Sequence, residues 1–232
     1  IRDLTVTGVQ TCALPISLYL PTAFPDGVGA AWWLVLEDII ARESRISLVI
    51  DGRERHFVVS TLSDKYELFD FLSGWLRKLS PPDLSYAVND LARRYSADAA
   101  QLSRSASLDW QDLAKLAADP NVTFGSATVN YSALSSLRDA DAEREMAMGK
   151  AVAESALRRP VRHFAYPFGD REAFARAHVV MAEEAGFASA VSTISGVVEA
   201  QGRTNLYALP RIAWDGRVRS LRIMRVLLSG VM

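Results

Sequence analysis

The chain has 232 residues, half of them hydrophobic and 23% charged, with a net charge of −1. That is enough apolar material for one sizeable core, whereas the balanced charge excludes a basic nucleic-acid surface and no apolar run approaches the ~20 residues of a membrane helix. Cys12 is the single cysteine, which excludes an internal disulfide and a cysteine-built zinc site. Residues 17–24 (SLYLPTAF) read as a buried strand ended by Pro and the turn PDG. Residues 31–42 (AWWLVLEDIIAR) read as a helix with a broad apolar face, and 46–60 as a hairpin about Asp51-Gly52. From Ser63, apolar residues at 68, 69, 72, 75, 76 and 79 give helical spacing. A second helix starts at Pro81 and Pro82, and a third lies within 107–120, stopped by Pro120.

The pattern then changes to alternating strands and helices. NVTFGS (121–126) is strand-like and 137–159 is a long helix. VRHFAYPFG (161–169) is a strand, 171–187 a helix closed by Gly186, ASAVST (188–193) a strand, LYALPRI (206–212) another, and 219–230 a final helix. Such alternation predicts an α/β fold with a parallel sheet or barrel. Residues 37–110 then read as a mainly helical insertion in that domain. There are no internal repeats and no low-complexity stretch.

Residues 1–16 (IRDLTVTGVQTCALPI) fit no such element. They resemble the translation of a sequencing adapter, so the expectation is 1–16 non-native and 17–232 a single domain. On that expectation Cys12 is not native and the native N-terminus is missing. Cytoplasm and cell envelope both stay open as locations, and oligomeric state is unread.

Three stretches, LDWQDLAKLAADPNVTFGSATVNYSALSSL (108–137), RPVRHFAYPFGD (159–170) with AEEAGFASAVST (182–193), and ALPRI (208–212) with LLSG (227–230), resemble the polysaccharide deacetylases with a NodB-type domain. Together with LYLPTAF…AAWWLVLE (18–37), the resemblance spans nearly all of 17–232. It implies a distorted (β/α) barrel of NodB type, with the first strand missing or replaced. It also implies metal-dependent hydrolysis of N- or O-acetyl groups on a polysaccharide or oligosaccharide. The family uses a divalent metal, often zinc, held by one Asp and two His, with a second Asp as general base. The metal lowers the pKa of its water and polarises the carbonyl, the base takes the proton, and a backbone N–H steadies the oxyanion.

The family's Thr-Phe-Asp-Asp-Gly motif belongs on a strand before Ser17, so both aspartates are absent. Asp3 and Asp26 are no substitutes, one lying in the adapter-like segment and the other beyond the second strand. The His-Thr-x-x-His motif aligns with Ala127, Thr128, Val129, Asn130 and Tyr131, so both histidine positions are changed. A methyl cannot coordinate, and a phenol, with an ordinary pKa of about 10, is a poor zinc ligand. No cofactor is therefore expected in this chain. The Arg-Pro-Pro-Tyr-Gly form aligns with Ala165, Tyr166, Pro167, Phe168 and Gly169. It implies the Phe168 backbone N–H as oxyanion donor and Tyr166 and Pro167 as substrate-binding residues. The family's arginine is absent from this stretch, and its late Leu-His-Asp motif is not recognisable near ALPRI. Activity is thus expected of the family and not of this chain. The alternative is a non-catalytic carbohydrate-binding pseudoenzyme or a partner-binding domain. The expected partner is acetylated carbohydrate.

Three histidines have bland readings beside any site role. His56 belongs to the hairpin surface, His163 faces either a pocket or a helix, and His178 is a structural helix residue. Trp33, Trp75 and Trp110 suit core packing, and Trp32 packing or sugar stacking. Trp214, after the last strand in AWDG, suits a sugar platform at the barrel mouth. FPDGVG (24–29) lacks the spacing of a phosphate loop.

Overall fold

The computed structural model describes residues 15–199, 204–213 and 220–228. They fall into two compact units, one made of Pro21–Leu113 and the other of the chain up to Leu20 together with Ala114 onwards. The first strand, β1 (Ile16–Leu20), belongs to the second of these. Ile16, the last adapter-like residue, opens it and pairs with Val122. Residues 1–14 lie outside the described residues.

The Pro21–Leu113 unit contains α1 (Trp32–Arg42), the hairpin β2 (Arg45–Ile50) and β3 (Arg53–Val58), α2 (Leu62–Leu76), α3 (Pro81–Arg94) and α4 (Ala99–Ala106). The hairpin turns through Asp51 and Gly52 at φ 50° and 75°. Two left-handed residues in a row match the strand twist, and Asp-Gly tolerates them. Helix α2 starts where Thr61 and Asp64 cap each other. The Asp64 N–H donates to Thr61 Oγ1 at 3.2 Å, and the Thr61 N–H donates to Asp64 Oδ2 at 2.8 Å. The Thr61 N–H, with the Thr61 hydroxyl and the Ser60 N–H, holds the Asp64 carboxyl below its ordinary pKa. Ile39, Ile46, Leu72 and Leu76 are fully buried in this unit. Trp32 is buried, Trp33 stacks on Phe24, and the Trp110 indole N–H donates to Asp26 Oδ1 at 2.7 Å.

Helix α4 was not expected from the sequence, because AAQLSRSA carries one large apolar residue and shows no stripe. It is held by its N-cap and by one tertiary hydrogen bond. Asp98 Oδ1 accepts the Gln101 N–H at 2.9 Å, and the Ser103 hydroxyl accepts the Ala31 N–H at 3.0 Å.

After α5 (Trp110–Ala117), the chain returns with β4 (Val122–Ser126), α6 (Asp139–Leu157), β5 (His163–Ala165), α7 (Arg176–Glu184), β6 (Ser189–Val191) and α8 (Leu221–Leu228). Strands β1, β4, β5 and β6 form one sheet in that order, with every pairing parallel. The alternation of strand and helix has produced the expected α/β class, because parallel neighbours need a crossover long enough to hold a helix. Phe164 and Tyr166 pack with Met146, Met181 and Phe187 in a core beneath α6 and α7. Gly186 closes α7 at φ 71°, the left-handed position that ends many helices.

Two strand expectations are corrected. Residues 206–212 are not a strand. Asn205 Oδ1 accepts the Tyr207 N–H at 2.8 Å and starts a short 3-10 turn, Leu206–Ala208, leaving one bridge between Leu209 and Val191. Pro210 follows at once and has no N–H to extend the ladder. Likewise β5 is confined to His163–Ala165, since Pro167 stops it.

Candidate functional site

The carboxyl end of β4 runs directly into residues 127–131, the stretch aligned with the His-Thr-x-x-His motif. The Ala127 N–H donates to the Leu20 carbonyl at 2.8 Å, so strand pairing continues one residue past β4 and the Ala127 methyl is buried. The chain then leaves the sheet through two left-handed residues, Thr128 at φ 69° and Tyr131 at φ 59°. A β-branched threonine in this region is a genuine outlier, and such residues persist only where their surroundings over-determine them.

Helix α6 supplies those surroundings. Glu145 Oε2 accepts the N–H groups of Val129 (3.0 Å) and Asn130 (2.9 Å), and Oε1 accepts from Asn130 Nδ2 at 2.5 Å. One turn later on the same face, Gly149 lets the helix close on the loop. A Cβ there would lie 2.6 Å from the Thr128 carbonyl carbon and 2.7 Å from its oxygen. Thr128 Oγ1 in turn accepts the Tyr131 N–H at 3.1 Å.

The loop after β5 meets this one. Phe168 sits at φ 60° and Gly169 at φ 69°. The Phe168 N–H is directed at the Tyr131 hydroxyl over 3.5 Å, and the two rings lie 5.1 Å apart. Thr193, beyond β6, donates its hydroxyl to the Phe168 carbonyl at 2.8 Å. Gly169 leaves room for this strand end, since a Cβ would lie 2.8 Å from the Thr193 nitrogen. Three non-glycine residues in left-handed conformation thus gather where two strand ends meet.

Tyr166 turns inward instead. Its ring stacks on Phe174 with centroids 4.0 Å apart, and its hydroxyl donates to the Tyr207 carbonyl at 2.7 Å. Burial pushes that hydroxyl above its ordinary pKa. Pro167 is buried as well, and Phe168 is the partly exposed side chain of the three. Trp214 lies outside the described residues.

His56 is exposed on the hairpin, with Nδ1 2.7 Å from Ser47 Oγ. His163 lies on β5 with Nδ1 2.9 Å from Ser189 Oγ on the neighbouring strand. His178 is buried on α7, where Nδ1 accepts the Ala175 N–H at 2.9 Å. Burial lowers its pKa, and Asp139 opposes the shift. On β1, burial raises the Tyr19 hydroxyl pKa and the charge of Arg211 draws it back. The Arg211 Nε donates to the Ser192 carbonyl at 2.6 Å.

The donor set does not fit a divalent metal. The first motif position presents a buried methyl, and the second presents a phenol engaged by the Phe168 N–H. Among the described residues, no group of three His, Cys, Asp or Glu is placed to hold a metal ion. The residues that sequence reasoning missed are Glu145 and Gly149. Their only signal is a four-residue spacing inside a long helix.

A family model described as polysaccharide deacetylase matches residues 57–190. No curated protein matches the chain. Among solved structures, a Streptococcus pyogenes deacetylase in complex with acetate is 20% identical, with 58% of this chain and 60% of that one covered and a TM-score of 0.42. A polysaccharide deacetylase from Bacillus cereus is 20% identical over 46% of this chain and 32% of that one, with a TM-score of 0.41. A de-N-acetylase from Aggregatibacter actinomycetemcomitans is 11% identical over 54% and 55%, with a TM-score of 0.45. The chain therefore spans less than two thirds of each of these structures.

Proposed function

The chain belongs to the polysaccharide deacetylase family, and on that premise we propose that its mouth recognises acetylated carbohydrate without hydrolysing it. The supporting observation is the placement of Tyr131. At the second histidine position of the motif, its hydroxyl lies on the Phe168 N–H, the backbone group that the family resemblance assigns to the oxyanion. Recognition and chemistry are thereby separated. The Phe168 N–H donates to the Tyr131 hydroxyl, and that hydroxyl in turn carries the O–H that donates to an acetyl carbonyl. No group at 127 or 131 can activate water.

In relatives that hold it, the metal supplies that activation by lowering the pKa of bound water to ~7. An oxyanion donor contributes only about 3 to 4 kcal/mol. Phe168 by itself therefore cannot replace a lost nucleophile and a lost base. Asn130, exposed beside Tyr131, and the Phe168 ring provide the remaining polar and apolar contacts for a sugar.

The test uses the full chain. Calorimetric titration with an acetylated oligosaccharide should show binding, zinc titration should show no tight stoichiometric site, and acetate release should stay at background with or without chelator. Chelator-sensitive acetate release, or tight zinc at one per chain, would sink the proposal. Restoring Ala127→His and Tyr131→His together should raise zinc affinity only weakly and leave acetate release at background.

A further inference from the structure

We propose that Glu145 is a positioning residue. Its carboxylate holds the 128–131 loop in the left-handed path that sets the Tyr131 hydroxyl against the Phe168 N–H. The inference deepens the reading of the mouth given above and rests on it for the ligand, though not for the geometry.

Four observations converge. The carboxylate takes two successive backbone N–H groups and the Asn130 side chain at once. That is all the donors the loop presents to α6 between its two left-handed residues. Gly149, one turn along the same face, removes the one atom that would keep α6 from closing on Thr128. The loop it restrains is strained at Thr128 and Tyr131, which an unrestrained segment would relax. Finally, the restrained loop ends in the residue that reaches across to Phe168.

Glu145 reaches the mouth through the Val129 and Asn130 backbone and the Asn130 side chain. Its effect on Tyr131 passes through the loop, and this separates it from an ordinary surface carboxylate. Charge-assisted bonds to backbone N–H groups are the stronger kind, so the clamp suits a segment that must be held against its own backbone preference. Glutamine can take over the task. Its amide oxygen accepts the Val129 and Asn130 N–H groups. Its amide nitrogen then faces the Asn130 side chain, which turns to present its own oxygen.

The experiment compares Glu145→Ala and Glu145→Gln with the parent chain by amide NMR, hydrogen exchange and oligosaccharide calorimetry. In Glu145→Ala the Val129 and Asn130 amides should exchange at least about tenfold faster, in line with the loss of charge-assisted bonds. The Phe168 amide resonance should move, and oligosaccharide affinity should fall by about tenfold or more. Glu145→Gln should bring all three back to within about threefold of the parent, since geometry rather than charge is what it preserves.

A Phe168 amide that stays in place in Glu145→Ala would reduce Glu145 to a local brace and overturn the inference. Failure of glutamine to rescue would also overturn it. Should the parent chain bind no oligosaccharide, the reading of the mouth fails, and the Phe168 amide still decides the role of Glu145. Gly149→Ala provides a second route, because displacing Thr128 from the helix side should move the same Phe168 resonance with the Glu145 carboxylate intact.

Discussion

Replacing glycine by alanine inside a helix normally stabilises it by about 1 kcal/mol, and two glycines in this chain should split on that rule. Gly74 lies in α2, is exposed, and has nothing within 4 Å of the position of an added Cβ. Gly74→Ala should therefore stabilise by about 0.5 to 1 kcal/mol. Gly149 in α6 has the same propensity to gain. Its added Cβ would sit 2.6 Å from the Thr128 carbonyl carbon, 2.7 Å from its oxygen and 3.0 Å from Ser126 Oγ. Two of those atoms belong to a backbone that is buried and already in a left-handed conformation. It cannot retreat as a flexible side chain would. Overpacking of this kind costs about 1 to 3 kcal/mol. Since α6 must also move away from Glu145's partners, the upper half of that range applies. Subtracting the propensity gain leaves a destabilisation of about 1 to 2 kcal/mol. Urea unfolding followed by far-UV circular dichroism measures both variants against the parent. The reasoning is refuted if Gly149→Ala raises the midpoint as Gly74→Ala does, because the close approach of α6 to the motif loop would then be absent.

Three further outcomes are expected. Tyr166→Phe removes the donor to the Tyr207 carbonyl and should cost about 1 to 2 kcal/mol in the same unfolding assay; no change would mean that the hydroxyl is not committed to the core. His178 has a folded-state pKa below its ordinary one, so its contribution is complete above about 6.5 and is lost as the pH falls from there towards the folded value. The parent should lose stability over that acidic interval, while His178→Gln should show a flatter profile. Thr61→Ala removes one half of the α2 capping box and should destabilise by about 1 kcal/mol, read from the urea midpoint.

Local rules made much of this protein legible from its sequence. The hairpin at Asp51-Gly52, the Pro81-Pro82 helix start, the Gly186 stop and the parallel class of the sheet each follow from a few neighbouring residues. The motif alignment likewise pointed to the two loops that lie against each other after β4 and β5. Where the local signal was weak or divided, tertiary contacts chose. Helix α4 has no apolar stripe and depends on Asp98 and on Ser103 receiving the Ala31 N–H. Residues 206–212 have strand propensity, yet Asn205 and Pro210 bracket them into a turn.

The site divides in the same way. Residue identity marks Tyr131 as no histidine. Its hydroxyl reaches the Phe168 N–H because two strand ends are neighbours in a parallel sheet. Tyr166 and Phe168 stand two apart in one motif, but one is locked beneath α7 and the other is left partly exposed in a left-handed turn. Glu145 and Gly149 were invisible as functional residues, because their meaning depends on the rotation of α6 about its axis. Sequence specifies which residues share a helix face, whereas packing against the sheet decides what that face meets.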